Sequence, residues 1–184
     1  MSSKPYEFLI WSNETVEEIF NELDLNGKNY LSESEIKIAL SARGVPVTKT
    51  LLNEIFKTCD TSNQGIISRD DFRKFSRSQN KKLKLIFKEM DIKNNNLLSF
   101  RDLKNFISNI NPEYTDEQIH YMIKKMDYNQ NGTIHMEDFI NFYHLVPIHN
   151  AKMAFDLFSR EHIDFGENYA VPCKERSVED QKAK

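Results

Sequence analysis

Oxygen-bearing side chains recur at regular intervals in residues 127–138, which read DYNQNGTIHMED. Aspartate or asparagine stands at positions 1, 3, 5 and 12 of this stretch, and glycine stands at position 6. A chain that wraps around a hard divalent cation needs oxygen ligands at these intervals, together with the carbonyl of position 7. The stretch therefore predicts a Ca²⁺ site, with Mg²⁺ as an alternative occupant. Its expected ligands are Asp127, Asn129, Asn131, the Thr133 carbonyl and Asp138.

The same pattern occurs in three further stretches, residues 24–35, 60–71 and 91–102. Each begins with Asp, has Gly or Asn at position 6 and a hydrophobic residue at position 8, and ends in a carboxylate. We number the stretches loops 1 to 4 in chain order. The expected ligands are Asp60, Ser62, Gln64, the Ile66 carbonyl and Asp71 in loop 2, and Asp24, Asn26, the Tyr30 carbonyl and Glu35 in loop 1.

Several departures from an ideal calcium loop bear on affinity. Loops 2 and 4 end in Asp71 and Asp138, and Asp, being shorter than Glu, favours the lower coordination number that suits Mg²⁺. Loop 1 keeps Glu35 but has Lys28 at position 5, so its ability to bind an ion stays open. Loop 3 has Lys93 at position 3 and is interpreted as a metal-free structural partner. We expect dissociation constants on the order of 10⁻⁵ to 10⁻³ M. A purely architectural role for some loops is the alternative.

Helical sequences flank every loop. Segments such as TVEEIFNEL before loop 1 and QIHYMIKKM before loop 4 carry apolar residues three and four apart, which places them on one face of a helix. Thr48, and Thr115 with Gln118, provide N-cap signals for two of these helices. Residues 72–90 contain neither Gly nor Pro, which permits a long connecting helix. The polar residues 76–80 are where that helix bends most easily.

The order helix, twelve-residue loop, helix resembles the EF-hand family over residues 14–146. The resemblance implies an all-α fold of two lobes, in which the position-8 residues of paired loops form short strands. Those residues are Leu31, Ile67, Leu98 and Ile134. We expect an N-terminal EF-hand lobe at 1–76, a C-terminal EF-hand lobe at 77–147, an amphipathic helix at 148–162 and a linker or tail at 163–184.

The segment after Pro147 predicts a helix that no EF-hand pair requires. Ala151, Phe155 and Phe158 fall on one face of this helix. The C-terminal half of the chain is also rich in methionine, which suits an adaptable groove but equally suits an ordinary core. We therefore expect the helix to be a ligand of the C-terminal lobe carried on the same chain, released or captured as metal changes that lobe. A fixed strut is the alternative.

Composition argues against several other functions. The net charge is −3 and the 25 basic residues are scattered, so we expect no nucleic-acid binding. No apolar stretch approaches the ~20 residues of a membrane helix, so we expect no membrane span. The five histidines have no partners at a catalytic spacing, and we expect no enzyme activity. Cys59 and Cys173 are expected to be ordinary thiols.

The C-terminal part resembles a narrower family. FINFYHLVP (139–147), the amphipathic helix and IDFGENYAVP (163–172) occur in the order found in the regulatory domain of calcium-dependent mitochondrial ATP-Mg/phosphate carriers. Phe139 stands where that family usually has Trp, and Asp138 where it usually has Glu. The residues that fit the last motif of the family are Ile163, Asp164, Gly166, Glu167 and Pro172.

The resemblance implies a Ca²⁺-sensing domain that faces the mitochondrial intermembrane space. Such a domain would control a carrier transmembrane domain of the inner membrane if the chain is part of a longer protein. Two alternatives remain open. The chain could be a stand-alone calmodulin-like sensor or light chain that binds a separate target, with a cytoplasmic location, or it could be a passive Ca²⁺/Mg²⁺ buffer.

Overall fold

The computed structural model of the chain describes residues 12–158, which fold into eight helices and four short strands. The helices are α1 (Asn13–Leu23), α2 (Glu33–Ala42), α3 (Lys49–Cys59), α4 (Arg69–Met90), α5 (Phe100–Ile110), α6 (Asp116–Met126), α7 (Met136–Tyr143) and α8 (Ala151–Asp156). The strands are β1 (Tyr30–Leu31), β2 (Ile67–Ser68), β3 (Leu97–Ser99) and β4 (Thr133–His135). The all-α fold expected from the sequence is confirmed. No helix within residues 12–158 has the length and apolar character needed to span a membrane.

Side-chain caps begin several of the helices, as the sequence indicated. The Thr48 hydroxyl accepts a hydrogen bond from the Leu51 N–H, and Thr115 forms a reciprocal capping box with Gln118. Each cap satisfies N–H groups that have no partner inside the helix and contributes about 1 kcal/mol. Gly44, with a φ of 70°, follows α2 in the left-handed conformation that commonly ends a helix.

Each pair of neighbouring loops is joined by a two-stranded antiparallel sheet. Leu31 of β1 lies opposite Ile67 of β2, and Leu98 of β3 lies opposite Ile134 of β4. All four side chains are buried. The predicted pairing of the position-8 residues is therefore confirmed, and it ties loop 1 to loop 2 and loop 3 to loop 4.

Aromatic pairs organise the core beneath both sheets. The rings of Phe20 and Phe72 meet edge to face at 5.5 Å, and those of Phe87 and Phe139 meet in the same way at 5.6 Å. Such pairs stabilise a core by about 0.5–1.5 kcal/mol beyond the effect of their buried area. Phe139 therefore fills the core position that the resembled carriers usually give to Trp.

The connecting helix α4 runs for 22 residues without interruption, a length of about 33 Å. It continues straight through 76–80, where the sequence indicated the easiest bend. The reason is burial, because Gln79 and Asn80 are covered by other parts of the chain. The Gln79 amide donates hydrogen bonds to the carbonyls of Tyr143, the last residue of α7, and Val146, which lies just after it.

The helix after loop 4 is shorter than its apolar pattern predicted. The pattern continues to Val146, but α7 ends at Tyr143. Pro147 disfavours a helical conformation at Val146, and the Val146 N–H instead closes a turn onto the Tyr143 carbonyl at 2.9 Å. The chain then crosses α4 at Gln79 before it enters the last helix.

Within the described residues α8 covers only part of the predicted helix at 148–162. It begins after Asn150, whose side chain accepts a 2.9 Å hydrogen bond from the Met153 N–H. Residues 159–162, and the tail 163–184 with its Ile-Asp-x-Gly motif, lie outside the described part of the chain. The proposed domain boundaries therefore stay predictions.

Candidate metal centre

The aspartate at position 1 of each loop accepts hydrogen bonds from the backbone of its own loop. Asp24, Asp60, Asp91 and Asp127 are buried at the ends of the preceding helices. In each loop one carboxylate oxygen of this residue accepts a hydrogen bond from the N–H of position 6, at 2.6 to 2.7 Å. These bonds hold the loop backbone in a curved shape around the carboxylate.

Two positions of every loop adopt the left-handed backbone conformation. Position 6 was expected to do so, and Asn29, Gly65, Asn96 and Gly132 have φ between 58° and 80°. Position 4 does so as well, through Gly27, Asn63, Asn94 and Gln130, with φ between 52° and 64°. The requirement at position 4 was missed, although a Gly and two Asn residues signalled it, since these types tolerate positive φ best.

The expected ligand side chains of loop 4 form hydrogen bonds within the loop. The Asn131 side-chain oxygen accepts bonds from the Thr133 N–H at 2.9 Å and the Thr133 hydroxyl at 2.7 Å. Asn129 is exposed. The His135 N–H donates to Asp138 at 3.2 Å, and the His135 ring Nδ1 lies 3.4 Å from the same carboxylate. The half-buried His135 ring thus lies close to the carboxylate that ends the loop.

A serine at position 9 distinguishes the other three loops from loop 4. The hydroxyls of Ser32, Ser68 and Ser99 each donate a 2.6 Å hydrogen bond to the position-12 carboxylate of their own loop. Sequence reasoning did not single out these residues, although the recurrence of Ser at position 9 is visible. Because loop 4 has a histidine there, Asp138 lacks this hydroxyl donor.

In loop 2 the carboxylates of Asp60 and Asp71 accept hydrogen bonds from neutral hydroxyl groups. The Ser62 hydroxyl donates to Asp60 at 3.1 Å, while Asp71 accepts from the hydroxyls of Thr61 and Ser68. Burial opposes ionisation of Asp71, but the Ser68 and Thr61 hydroxyls outweigh burial and lower its pKa. Gln64 is exposed and makes no side-chain contact that would bring it toward the carboxylates.

In loop 1 the closing carboxylate is already engaged. Glu35 accepts from the Ser32 N–H at 2.8 Å and from the Asn26 amide at 3.4 Å, and the Lys28 ammonium lies 3.4 Å away. Burial opposes ionisation of Glu35, yet the Ser32 hydrogen bonds and the Lys28 charge hold its pKa below the usual value. The expected ligand Asn26 thus presents its amide N–H, and not its oxygen, toward the loop centre.

In loop 3 a lysine also contacts the closing carboxylate, at a shorter distance than in loop 1. The Lys93 ammonium lies 2.8 Å from the Asp102 carboxylate. Burial opposes ionisation of Asp102, but Lys93 and Ser99 together lower its pKa. This contact agrees with the interpretation of loop 3 as a metal-free partner.

The donor chemistry of the loops fits a hard cation. No group of three or more His, Cys, Asp or Glu side chains within residues 12–158 is placed to hold a metal ion. The expected ligand sets are instead mixtures of two carboxylates with amide, hydroxyl and carbonyl oxygens. Oxygen donors of this kind suit Ca²⁺ and Mg²⁺, whereas zinc and copper sites use nitrogen and sulfur ligands. The residues of loops 2 and 4 therefore fit a bound Ca²⁺ ion.

The face of α8 that was expected to bind the C-terminal lobe is buried there. Ala151, Phe155 and Phe158 are at most 3% exposed. The Phe158 ring stacks on Phe142 of α7 at 5.8 Å, and the Phe155 ring lies 6.2 Å from Phe106 of α5.

Two tyrosines, the buried Tyr143 and the half-buried Tyr114, bind the backbone of α8. The Tyr143 hydroxyl donates to the Ala154 carbonyl at 2.8 Å, and the Tyr114 hydroxyl donates to the Phe155 carbonyl at 2.9 Å. Burial raises the pKa of Tyr114 to about 12, so its hydroxyl keeps its proton at neutral pH. Three methionines of the C-terminal half, Met90, Met122 and Met126, are buried in the core, as the ordinary-core alternative expects.

The repeat, the paired loops and their oxygen ligands define the class of protein. The chain belongs to the EF-hand domain pair family, which matches residues 13–77 and 80–144. It is therefore a calcium-binding EF-hand protein, as the sequence predicted.

Two kinds of relatives share this architecture. The chain is 28% identical over 143 residues to the calcium-binding protein CML19 of Arabidopsis thaliana, covering 74% of the chain and 86% of that protein. It is 22% identical over 167 residues to the mitochondrial adenyl nucleotide antiporter SLC25A24 of Bos taurus, covering 90% of the chain and 35% of that protein.

A plant carrier is similar in sequence to the chain to about the same degree. The calcium-dependent mitochondrial ATP-magnesium/phosphate carrier protein 3 of Arabidopsis thaliana is 24% identical over 160 residues, covering 85% of the chain. The chain spans about a third of the length of the two carriers. These similarities confirm the resemblance to calcium-dependent mitochondrial carriers that the tail motifs predicted.

Proposed function

We propose that the chain is a Ca²⁺-sensing regulatory domain that controls a mitochondrial adenine nucleotide carrier through α8. The observation that carries this proposal is the burial of Ala151, Phe155 and Phe158 against the C-terminal lobe. A helix held by its apolar face and by two tyrosine hydroxyls has the character of a ligand in a groove.

The connection from the metal centre to α8 is short. Asp138 closes loop 4 and is also the third residue of α7, which begins at Met136. At its other end α7 carries Phe142, which stacks on Phe158 just after α8, and Tyr143, which donates to the α8 backbone. When Asp138 exchanges its His135 contacts for an ion, α7 shifts together with it. The groove that holds α8 then changes shape, and the population of bound α8 changes with it.

The partner of the released or captured helix would be the transmembrane domain of a carrier. The similarity to SLC25A24 over 90% of the chain supports this assignment. The location proposed for the domain is the intermembrane-space side of the mitochondrial inner membrane. The partner would be an ATP-magnesium/phosphate carrier, as the plant relative is by name.

A second candidate function is a stand-alone calmodulin-like sensor in the cytoplasm. It is favoured by CML19, of which the chain covers 86%. In this case α8 would be a permanent cap on the C-terminal lobe, and a separate protein would be the target.

The intramolecular part of the proposal is tested by hydrogen exchange of the α8 amides in chelator and in millimolar Ca²⁺. Protection of residues 151–156 should differ between the two conditions by tenfold or more. The Asp127→Asn variant serves as the control and should lose the difference. Equal protection in both conditions would favour the permanent cap, and an unchanged exchange pattern throughout the chain would favour a passive buffer.

The carrier assignment needs a separate measurement. Proteoliposomes that contain the transmembrane domain of a related ATP-Mg/phosphate carrier are assayed for exchange with and without the added chain. Exchange should become Ca²⁺-dependent only when the chain is present. Transport that ignores the chain at every Ca²⁺ concentration would overturn the carrier assignment and leave the calmodulin-like alternative.

A further inference from the structure

In two of the four loops a lysine of the loop itself contacts the position-12 carboxylate. Lys28 lies 3.4 Å from Glu35 in loop 1, and Lys93 lies 2.8 Å from Asp102 in loop 3. We propose that these two ammonium groups are tethered cations that neutralise the closing carboxylates of loops 1 and 3 and exclude divalent ions from them. Each paired lobe then contains one lysine-closed loop and one ion-binding loop.

The two lysines occupy different positions of their loops but contact the same kind of partner, the position-12 carboxylate. Lys28 is at position 5 of its loop and Lys93 is at position 3. Positions 3 and 5 are both ligand positions, whose side chains point toward the ion in a calcium loop. A lysine at either one replaces a ligand oxygen with a positive charge, and its flexible stem lets the charge reach the carboxylate.

Both closing carboxylates are largely buried. Glu35 is 3% exposed, and the Asp102 side chain is 14% exposed. A carboxylate in such a position is destabilising unless it is paired or hydrogen-bonded. Its serine hydrogen bond neutralises no charge, whereas the lysine supplies a full positive charge at the place a metal ion would take. The loop can thus close without metal.

Further contacts hold Lys28 in place. Its ammonium also lies 4.6 Å from the centre of the Tyr30 ring, in the position of a cation–π contact. The Asn26 amide donates to the second oxygen of Glu35 at 3.4 Å. Both oxygens of Glu35 therefore face donors from loop positions that would otherwise bind an ion.

The partner loop in each lobe has no such cation. Positions 3 and 5 are Ser62 and Gln64 in loop 2, and Asn129 and Asn131 in loop 4. The strand pairs join one loop of each kind, with β1 of loop 1 against β2 of loop 2 and β3 of loop 3 against β4 of loop 4. The lysine-closed loop thus holds one edge of the sheet in its folded form at all Ca²⁺ concentrations. Only the other edge responds to the ion.

This inference rests on the Ca²⁺ binding of the proposed function, and the experiment separates the two. Ca²⁺ stoichiometry is measured by calorimetry for the wild type, Lys28→Asn, Lys93→Asn and the double variant. Asn supplies a side-chain oxygen at a ligand position and removes the charge. The matched control is Lys37→Asn, because Lys37 is an exposed lysine outside the loops whose partner Glu33 is at position 10 of loop 1, not at an expected ligand position. The expected stoichiometries are two for the wild type and the control, three for each single variant and four for the double variant.

A second measurement requires no metal binding at all. Lys28→Met and Lys93→Met keep the length of the side chain but remove its charge, and both are melted in chelator beside Lys37→Met. Loss of the tethered cation should lower Tm by about 2–4 °C, the shift that a modest loss of stability produces in a domain of this size. The control should melt with the wild type.

The outcomes distinguish the two ideas. A wild type that binds no Ca²⁺ sinks the proposed function, while a lower Tm of the Met variants in chelator still supports the tethered cations. A wild type that binds four ions overturns the inference and leaves the proposed function standing. The same conclusion follows if the Asn variants gain no ion or if the Met variants melt like the control.

Discussion

The Tyr143 hydroxyl donates a 2.8 Å hydrogen bond to the Ala154 carbonyl, and this bond joins α7 to α8 inside the core. Both residues are fully buried. The backbone of α8 is thereby bound to the helix that follows loop 4. The bond links the position of α8 to that of α7, the helix that begins at the end of loop 4.

Removing this hydroxyl should destabilise the C-terminal part of the molecule. Tyr143→Phe leaves the Ala154 carbonyl without its donor, and we expect the free energy of unfolding to fall by about 1–2 kcal/mol. Urea denaturation in chelator measures the change. Tyr128→Phe is the matched control, because Tyr128 is 88% exposed and its hydroxyl is free to contact water. Equal stabilities of the two variants would show that the bond contributes nothing.

Gln79 should contribute to the stability of the fold, although its polar sequence context suggests a surface position. Its amide donates to the carbonyls of Tyr143 and Val146 from the middle of α4. Gln79→Leu leaves both carbonyls without this donor, and we expect a loss of roughly 1–3 kcal/mol in the free energy of unfolding. The same change at the exposed Gln64, measured in chelator, should cost much less. A Gln79 variant as stable as the Gln64 variant would rule out the role of this contact.

The free energy of unfolding should decrease as the pH is lowered, and one buried histidine contributes to this decrease. Burial, with a smaller effect of the Arg43 guanidinium, lowers the pKa of His144 to about 3. The unfolded chain takes up a proton at this residue below about pH 6.5, while the folded chain stays neutral there. The free energy of unfolding therefore decreases as the pH falls from about 6.5 toward 3, by up to about 1.4 kcal/mol per pH unit.

The contribution of His144 is isolated by substitution. Urea denaturation at pH 7, 6 and 5 is compared between the wild type, His144→Gln and His149→Gln, the last of which changes an exposed histidine. The pH slope should become shallower only in His144→Gln. A slope that is identical in all three proteins would contradict the assignment.

Loop 4 should be the principal ion site. Asp127→Asn removes one negative charge from its ligand set but keeps an oxygen that can accept the Gly132 N–H. We expect Ca²⁺ stoichiometry to fall by one in calorimetric titration. Asp91→Asn makes the same change in loop 3, whose Lys93 already faces the closing carboxylate, and should leave stoichiometry unchanged. Loss of an ion from the Asp91 variant would instead identify loop 3 as a binding site.

The sequence predicted those features that depend on local pattern. The pairing of Leu31 with Ile67 and the cap at Thr48 followed from loop position and from residue type. The left-handed Asn29 followed from the same alignment of the loops. Each of these features depends on a few neighbouring residues or on the loop geometry that the repeat made visible.

Features that depend on distant parts of the chain were not predictable in this way. Gln79 reads as a solvent-facing residue, but it is buried because residues 143–148 cross α4 at that point. His135 turns inward to Asp138 because no serine occupies its place. The lysines of loops 1 and 3 were recognised as misfits, yet their contacts with the closing carboxylates depend on the folded curve of the loop.

The uninterrupted α4 gives the molecule a property that a pair of separate lobes would lack. Asp71, the last residue of loop 2, is the third residue of this helix, and Asp91, the first residue of loop 3, is its C-cap. An intact helix transmits displacement along its axis, so a movement at Asp71 reaches the sheet that pairs loop 3 with loop 4. If both halves bind an ion, we therefore expect their binding to be coupled through this continuous helix, with each half changing the affinity of the other by the same factor.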